Sequence, residues 1–556
     1  MKFIAIAEDC LVAAGIGLLG LITNHAYLDN PTMRGLRHNI LLSHRQAFFF
    51  DLGGSAKKAG DGADENVFDI QQGVAICLAV RGSQDAKQIY RHARLAGVRE
   101  SKYRTLVSST VADTQWFDLA PKPALYLFVP SDFGLQDEYQ WFISLPDVFP
   151  LHSIGLFTSK DHFVISRDPA TLLSNVRKFR DSRLDDEALC KSLEINTKDA
   201  WDVAKSRERL RQLKDSEVGR SIRGFVHRPF DTKYIFYHRS LVWSLAYPVN
   251  RNLLNGKNMA LVTSRQLATL PWRHMFCADA IVEMFLISNK TKEGNHVFPL
   301  YISPEGSGVQ ADLALTQRRP NVDAEFLRRL SLALQVEQVG EHRLPKGFGA
   351  TDIFHYAYGL FHSPTYRSRY AEFLRIDFPR IPLPSRLDLF REVARVGGEL
   401  VALHLMESRR LDGFITSYSG PANPEVGRVG WSERTVWLDA AATKKGQPAT
   451  PGTIGFRGVP EAVWNFHIGS YQVCEKWLKD RKGRTLSKDD LAHYQKIVVA
   501  LAETIRLMRE VDGVIDRHGG WPGAFQAKPA YAAGGGPPLR KVAEAQVRPV
   551  SRRRGP

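Results

Sequence analysis

The sequence predicts an α/β protein in which an incomplete sheet of the doubly wound type is followed by a mixed α/β region with a helical C-terminal part. Two apolar runs, at 18–29 and 73–80, have the composition of buried strands, and each has a polar loop at one end. Apolar residues at helical spacing alternate with these runs over residues 1–85. Helical patterns also dominate residues 320–410.

The order of elements in residues 1–85 is helix, strand, helix, strand, loop, strand. Lys2 to Ala14 forms the first helix, and the second begins at Asn30-Pro31-Thr32, because proline suits a first helical turn. The Gly-, Lys- and Asp-rich stretch 55–63 is expected to be a mobile loop. Three strands make only half of a doubly wound domain. They are expected at 18–29, at 48–52 and, as a buried central strand, at 73–80.

The remaining chain is mixed in character. The composition after Gly519, ending in Arg552-Arg553-Arg554, cannot bury a core and predicts a disordered basic tail. Between these parts we expect strands around 125–129 and 163–165, a charged helix at 200–216, a β-containing module at 220–305, a mainly helical region at 320–410 with 353–374 prominent, a Gly/Pro/Ser-rich loop at 417–429 and a final helix at 493–511.

The charge balance indicates a polyanionic partner. The 556 residues include 75 Lys and Arg against 59 Asp and Glu, which gives a formal net charge of +16. Cations that neutralise phosphates release counterions, so such a balance favours nucleic acid. The alternative is a basic surface that serves solubility alone.

The cysteines and the apolar segments bound the compartment. The five cysteines are far apart and form no CxxC pair, so neither a metal site nor a disulfide framework is expected, and a reducing cytoplasm is favoured. The most apolar segment, 10–23, is too short to span a bilayer, and Glu8-Asp9 precedes it instead of a basic region, so neither a membrane span nor a signal peptide is expected. The cysteines are Cys10, Cys77, Cys190, Cys277 and Cys474.

An aromatic residue stands where the acidic turn Asp64-Glu65-Asn66 meets the strand at 73–80. An aromatic at the mouth of a sheet can stack on a base that has been extruded from a duplex. Phe68 has this place in the sequence. The competing interpretation is a phenylalanine that only packs the end of the sheet.

The order of these N-terminal elements resembles the second half of the catalytic domain of N6-adenine DNA methyltransferases, and the whole chain resembles type ISP restriction–modification enzymes. The resemblance covers most of residues 1–515. Its strings include Arg228-Pro229-Phe230-Asp231, Trp272-Arg273-His274-Met275-Phe276, Ser363-Pro364-Thr365-Tyr366, Asp377-Phe378-Pro379-Arg380 and Gly469-Ser470-Tyr471-Gln472. From 216 onward these strings resemble the type ISP C-terminal specificity region. The predicted sheet is accordingly methyltransferase-like, that is, Rossmann-like.

The resemblance implies methyl transfer from S-adenosylmethionine to adenine N6 in double-stranded DNA, with Phe68 stacking on the flipped base. The family's Asn/Asp-Pro-Pro-aromatic turn is absent from the sequence, and Asn423-Pro424-Glu425 is a poor substitute. The glycine turn that binds the cofactor is also absent, since Asp51-Leu52-Gly53-Gly54 comes too late in the order. We therefore assign no catalytic residue and expect the chain to be inactive alone, with the N-terminal half supplied by another polypeptide.

Base reading is expected in the β-containing module. Arg265 can fork onto a guanine edge, while Gln266 and Asn289 can bridge an adenine edge. Lys290 suits a phosphate, and Arg273 belongs to the same expected DNA-binding set. For any one of these residues the competing interpretation is an ordinary solvated polar loop.

The predicted division is a distal methyltransferase half with its connecting segment at 1–215, a target-recognition region at 216–519 and a tail at 520–556. The favoured function is a site-specific adenine DNA methyltransferase, present as its specificity portion. The alternatives are a non-catalytic DNA-binding specificity subunit or inactive remnant, and a fragment that does not fold alone because its sheet exposes an apolar edge.

Overall fold

The computed structural model describes residues 2–54, 64–82, 87–122, 125–130, 134–195, 201–254, 256–267, 271–288, 293–304, 318–441 and 449–526. Several small sheets and many helices make up the chain, so the mixed α/β class is confirmed. The loop predicted at 55–63 and most of the predicted tail lie outside the described residues. The division at 215/216 stays a prediction.

The N-terminal sheet has five strands in the order β1-β3-β2-β4-β5. β3 is antiparallel to both of its neighbours, whereas β2 and β4 are parallel. Three helices accompany the sheet. The strands are β1 Gly17–Asn24, β2 Gln46–Gly53, β3 Val74–Arg81, β4 Ile89–Arg94 and β5 Phe117–Asp118; the helices are α1 Lys2–Ala14, α2 Arg34–Ser43 and α3 Arg99–Ser108.

Two details of this sheet differ from the prediction. The first strand ends at Asn24 and not at Asp29, because the Asn24 side chain accepts a hydrogen bond from the amide of Ala26 at 2.8 Å and starts a 3-10 turn, His25–Leu28. The sheet also continues beyond residue 85, where β4 and β5 extend it. In the described part of the chain, the outer edge of β1 has no neighbouring strand.

The middle of the chain contains two further four-stranded sheets. In the first, which we call the buried sheet, every neighbouring pair is antiparallel. Its strand Ala260–Ser264 is fully buried along its whole length. In spatial order the buried sheet contains Met275–Ala278, Ala260–Ser264, Asn295–Pro299 and Ser153–Ile154; the other sheet contains Ile281–Val282, Ile222–Arg228, Asp231–Phe236 and Ile165–Ser166.

The C-terminal part is mainly helical and shares one large hydrophobic core with the buried sheet. A small sheet, in the order Ser417–Ser419, Gly455–Arg457, Thr435–Trp437 and Gly430–Ser432, packs beside the helices. The principal helices from residue 160 onward are Pro169–Arg180, Asp186–Ser192, Val203–Arg211, Asp215–Arg220, Ala324–Leu334, Ala350–His362, Pro364–Arg369, Ala371–Ile376, Leu387–His404, Val473–Lys479 and Lys488–Arg517.

Some predicted elements were wrong in kind. The apolar run 125–129 is a loop in which Phe128 stacks on Phe49 of β2 with ring centroids 4.0 Å apart. The run 163–165 is the end of a helical turn, Asp161–Val164, followed by a two-residue strand. The loop predicted at 417–429 begins with a strand of the small sheet. These runs are short, and a short apolar run does not distinguish strand, helix and packed loop.

The backbones of the helices Ala350–His362 and Leu387–His404 approach each other closely at Gly397. A Cβ placed on Gly397 would lie 1.9 Å from the carbonyl oxygen of His355 and 3.0 Å from the amide nitrogen of Gly359. Only a glycine at position 397 therefore lets the two backbones approach this closely. The aromatic residues of the first helix, among them Phe354 and Tyr358, are buried in the core behind this crossing.

We expect Gly397→Ala to destabilise the protein by about 2 kcal/mol or more, because the added methyl group meets backbone atoms that cannot rotate away. Gly513→Ala is the matched control: its Cβ would meet no atom nearer than 3.8 Å, at the tip of Arg517. That change should stabilise the long helix by about 0.5–1 kcal/mol through helix propensity. Chemical denaturation followed by circular dichroism measures both, and equal midpoints would contradict the close crossing.

Candidate functional site

The loop at 64–73, which we call the Phe68 loop, presents an aromatic ring to solvent at one end of the N-terminal sheet. The Phe68 side chain is 46% exposed. The buried Asn66 side chain fixes the loop: its amide donates to the carbonyls of Gly54, Ile70 and Gln72 at 3.0, 3.1 and 2.7 Å, and its oxygen accepts from the Phe68 amide at 3.0 Å. The hydrogen bonds of the Asn66 side chain therefore fix the conformation of the loop.

A buried lysine of α3 anchors the start of the same loop. The Lys102 ammonium is fully buried and donates to the carbonyls of Leu52 and Glu65, both at 2.6 Å, and to the Asp64 carboxylate at 2.5 Å. A buried ammonium has three donors, and each of them is satisfied here. Lys102 therefore ties the end of β2 to the beginning of the Phe68 loop.

Two more residues on the same face of α3 hold the middle of the loop. Arg99 donates to the Asn66 carbonyl at 2.7 Å and to the Asp69 carboxylate at 2.8 Å, while the Tyr103 hydroxyl donates to the Val67 carbonyl at 2.5 Å. Residues three and four apart share a helix face, so α3 contacts the loop with one stripe of side chains. Phe68 is thus exposed on a loop that is fixed on both sides.

The charge state of Asp64 is consistent with this anchor. Burial alone would raise the pKa of the Asp64 carboxyl, but the hydrogen bonds from Lys102 and from the Gly54 and Gly97 amides together lower it below its ordinary value. The carboxylate therefore stays ionised at neutral pH and keeps its ion pair with Lys102.

The predicted base-reading residues that the structure describes lie at one end of the buried sheet. Arg265 and Gln266 directly follow the strand Ala260–Ser264, and Arg273 comes shortly before the strand Met275–Ala278. Because Thr263 pairs with Met275, these two positions lie beyond the same end of the two strands. Asn289 and Lys290 lie outside the described residues, although the next strand starts at Asn295, which pairs with Ser264 at that end.

Arg265 is half-exposed and held in a defined orientation. Its Nε donates to the Asp377 carboxylate at 2.9 Å, and its guanidinium lies 5.7 Å from the centroid of the Phe378 ring. The His152 and His296 rings also surround Phe378, at 5.5 and 4.9 Å between centroids. Burial, together with the nearby positive charge of Arg265, lowers the pKa of both histidines, so neither adds positive charge here at neutral pH.

Arg273 is half-buried and carries a charge that nothing in the described part of the chain neutralises by a salt bridge. Burial lowers the pKa of its guanidinium, and no carboxylate opposes that effect. Desolvating a cation without a partner is unfavourable, so the binding of an anion beside such a residue lowers the free energy. Its neighbour Trp272 is fully buried and anchors the loop in the core.

Asp29 and Arg375 connect the neighbourhoods of the two candidate regions. Asp29, in the turn that follows β1, lies 3.8 Å from the Arg375 guanidinium. The carbonyl of Arg375 in turn accepts from the amide of Leu267, two residues after Arg265, at 2.9 Å. The Phe68 loop is at the same end of the N-terminal sheet as Asp29, because β1 and β2 end there and β3 begins there. The end of the N-terminal sheet that carries the Phe68 loop therefore contacts the segment that holds the loop after Arg265.

Sequence patterns missed the residues that orient these loops. Asn66 was part of the acidic turn but had no assigned role, and Asp377 is 112 residues from Arg265. The spacing of Arg99, Lys102 and Tyr103 was the available signal, since i, i+3, i+4 places them on one helix face. Nothing in the sequence relates that face to the Phe68 loop.

The described residues do not meet the requirements of a metal ion, and the Gly53-Gly54 turn does not meet those of S-adenosylmethionine. Within the described residues, no group of three His, Cys, Asp or Glu side chains is placed to hold a metal ion. The turn Gly53-Gly54 does not fit S-adenosylmethionine, because its two amides donate to the Asp51 and Asp64 carboxylates and Asn66 fills the space beside it: a Cβ on Gly54 would lie 2.3 Å from the Asn66 Cα. None of the helices in the described ranges has an apolar stretch of the length that a bilayer requires.

Comparison with known proteins agrees with this architecture. The sequence profile of the Type ISP C-terminal specificity domain matches residues 147–510, well over half of the chain. No curated protein sequence gives a significant match. The mixed α/β architecture and this profile match together define a protein with a specificity region over residues 147–510. The chain belongs to the Type ISP C-terminal specificity domain family.

Several solved structures share the fold. Among them are a nuclease-deletion mutant of the Type ISP restriction-modification enzyme LlaGI in complex with a DNA substrate mimic (TM-score 0.63, 18% identity, 89% of this chain and 39% of that one), a DrdV–DNA complex (0.68, 19%, 92% and 52%) and the ATP-dependent Type ISP enzyme LlaBIII bound to DNA (0.66, 17%, 91% and 33%). At these identities the likeness shows the fold alone. The chain spans about a third to a half of the length of these structures.

The Lys102 anchor predicts a specific change in local order. Lys102→Met removes three donors and leaves buried acceptors unsatisfied, which should cost about 1–3 kcal/mol, mostly as local opening of residues 64–73. Hydrogen–deuterium exchange of peptides from this loop should accelerate, whereas Arg104→Met, on the exposed side of α3, should leave exchange unchanged. Equal exchange in both variants would show that α3 does not hold the loop.

The lowered pKa of Asp64 gives the pH dependence of the same anchor. A carboxyl whose pKa is lower in the folded state stabilises the fold above its unfolded pKa of about 3.9, and the stabilisation is lost as the pH falls through the folded pKa. The slow exchange of the Phe68 loop should therefore persist at pH 5. Its loss already between pH 6 and 5, after correction for intrinsic exchange, would contradict this assignment.

Proposed function

We propose that this chain recognises a specific sequence in double-stranded DNA and acts as the specificity portion of an N6-adenine DNA methyltransferase of the type ISP kind. In the complete enzyme, S-adenosylmethionine would supply the methyl group and would be held by a methyltransferase half outside the described residues. Phe68 would stack on the extruded adenine, and the loops that carry Arg265, Gln266 and Arg273 would contact the duplex.

The observation that carries this proposal is the contact between Asp29 and Arg375. A methyltransferase of this kind must hold an extruded base close to the bases that it reads, since both belong to one short stretch of duplex. The contact brings the end of the N-terminal sheet, with Phe68, next to the segment that fixes the loop after Arg265. The net charge of +16 and the uncompensated Arg273 support a polyanion as the ligand.

Among the described strands none pairs with the outer edge of β1, which supports a further methyltransferase segment beside it. Leu18 and Ile22 expose 67% and 57% of their surface on β1, and an open row of backbone groups beside exposed apolar side chains is ready to accept another strand. We propose that the methyltransferase half, in the same polypeptide or in a separate one, pairs with this edge. The 1–215 and 216–519 division would then separate catalysis from recognition.

A specificity unit without catalysis is the second candidate. The family match covers residues 147–510, and a unit of this kind would recognise DNA without any methyl transfer. The two candidates differ in one measurement. When a type ISP methyltransferase half is supplied with labelled S-adenosylmethionine, the first candidate requires methylated adenine and the second requires specific binding without incorporation.

DNA recognition itself is tested on the full chain. Selection from a random duplex library should yield one preferred sequence, and the affinity should fall steeply with salt, because each phosphate contact releases about one counterion. Arg273→Ala should weaken binding by about 1–3 kcal/mol. Arg183→Ala is the charge-matched control, since Arg183 is an exposed arginine paired with Asp181. An affinity that does not depend on salt would exclude DNA as the partner.

Phe68 is tested in the reconstituted enzyme. Phe68→Ala should slow methylation by the loss of base–aromatic stacking, about 1–3 kcal/mol, while site preference and stability stay nearly unchanged. Stacking acts on the extruded base and not on the bases that are read, so rate and preference separate the two roles. Methylation at the parental rate would assign Phe68 to packing alone.

A further inference from the structure

The geometry points to Asp377 as a positioning residue for base reading: we infer that it fixes the Arg265 guanidinium in the orientation that forks onto a guanine in the major groove. This inference rests on the proposed function. It assigns a role in sequence discrimination to a carboxylate that would repel DNA phosphates if charge alone mattered.

The pattern of hydrogen bonding is the first support. Asp377 accepts from Nε of Arg265, at 2.9 Å, and not from the terminal nitrogens. In the described part of the chain, the two terminal nitrogens have no hydrogen-bond partner. A guanine presents the acceptors O6 and N7, which a pair of donors in the plane of the guanidinium can bind together. The ion pair therefore uses the side of the guanidinium that base reading does not need.

The setting of Asp377 is the second support, because the carboxylate is anchored on both sides. Its own amide donates to the Phe373 carbonyl at 3.2 Å at the end of the helix Ala371–Ile376, and the strand Arg380–Ile381 that follows pairs with Ile143–Ser144. The position of the carboxylate is thus set by backbone contacts that do not involve Arg265.

The third support is the ring beneath the guanidinium. Phe378 is buried and packs edge-on against His296 and Phe298, with centroids 4.9 and 5.6 Å away. The guanidinium lies over this ring, 5.7 Å from its centroid. A planar cation that lies over a fixed ring and is hydrogen-bonded at one edge has less rotational freedom to lose when DNA binds, which is the general advantage of preorganisation.

Stability alone does not account for this pair. Arg265 and Asp377 expose 53% and 54% of their side chains, and exposed ion pairs contribute little to folding. The backbone hydrogen bond from Leu267 to Arg375 already fastens the loop to this segment. What the ion pair adds is the direction of the guanidinium.

The test measures base preference with the full chain. Four variants, Arg265→Ala, Asp377→Ala, Asp377→Asn and Asp377→Glu, are each used to select from a random duplex library at one salt concentration. Arg265→Ala should lower the preference for guanine at one position about tenfold. Asp377→Ala should lower it at the same position about two- to fivefold, in line with the coupling of exposed ion pairs, and Asp377→Glu should restore part of the loss. Asp377→Asn keeps the shape and removes the charge, so it guards against a variant that folds poorly.

The control removes the same charge from another exposed ion pair. Asp412 accepts from the Lys496 ammonium at 2.9 Å, and Asp412→Ala should leave every base preference unchanged. If the Asp377 variants bind all sequences more tightly without changing the preference, Asp377 acts only by repulsion and the inference fails. It also fails if Arg265→Ala and Asp377→Ala alter different positions, or if either alters none. A parental chain without any preferred sequence would instead refute the proposed function.

Discussion

A strand that is buried along its whole length presents side chains to solvent only beyond its ends, and the position of the base-reading candidates follows from that constraint. The strand Ala260–Ser264 is completely buried between two antiparallel neighbours, so Arg265 is the first residue after it that reaches solvent. In the N-terminal sheet β3 is only partly buried, but it also has a strand on each side, and Phe68 lies in the loop that precedes it. The candidate residues therefore lie in loops. A loop can position such residues only where other side chains hold its conformation.

The two regions are fixed by interactions of different energetic weight. Lys102 is fully buried, so its hydrogen bonds to the Phe68 loop contribute to the stability of that loop, and removing one partner leaves desolvated groups behind. Asp377 is exposed, so its pair with Arg265 adds little to the free energy of unfolding and acts mainly on direction. A measurement of thermal unfolding would detect the loss of the Lys102 hydrogen bonds but not the loss of the Arg265–Asp377 pair. A search for functional residues by stability alone would therefore miss the discriminating carboxylate.

Periodicity in the sequence was sufficient for elements whose pattern is long. The helix predicted at Lys2 to Ala14 has those bounds in the structure, and the strand at 73–80 lies within one residue of β3. The strand predicted at 125–129 was wrong. Phe128 stacks on Phe49 from a loop, and this packing requires the same apolar side chain that a buried strand would require. The partners of the candidate residues could not be predicted at all. Contacts such as Arg265 with Asp377 depend on tertiary packing, which no local pattern encodes.

The contact between Asp29 and Arg375 limits how the two regions can act in the proposed enzyme. Its 3.8 Å separation and partial exposure make it a weak tie in itself, yet Arg375 also holds Leu267 through its backbone. Both the turn after β1 and the loop after Arg265 therefore contact Arg375. A displacement of one would affect the position of the other through this residue. In the proposed enzyme, the site that holds a base at Phe68 and the loop that reads the duplex would therefore be coupled through Arg375. Sequence recognition and the choice of the methylated adenine would then depend on the same contact.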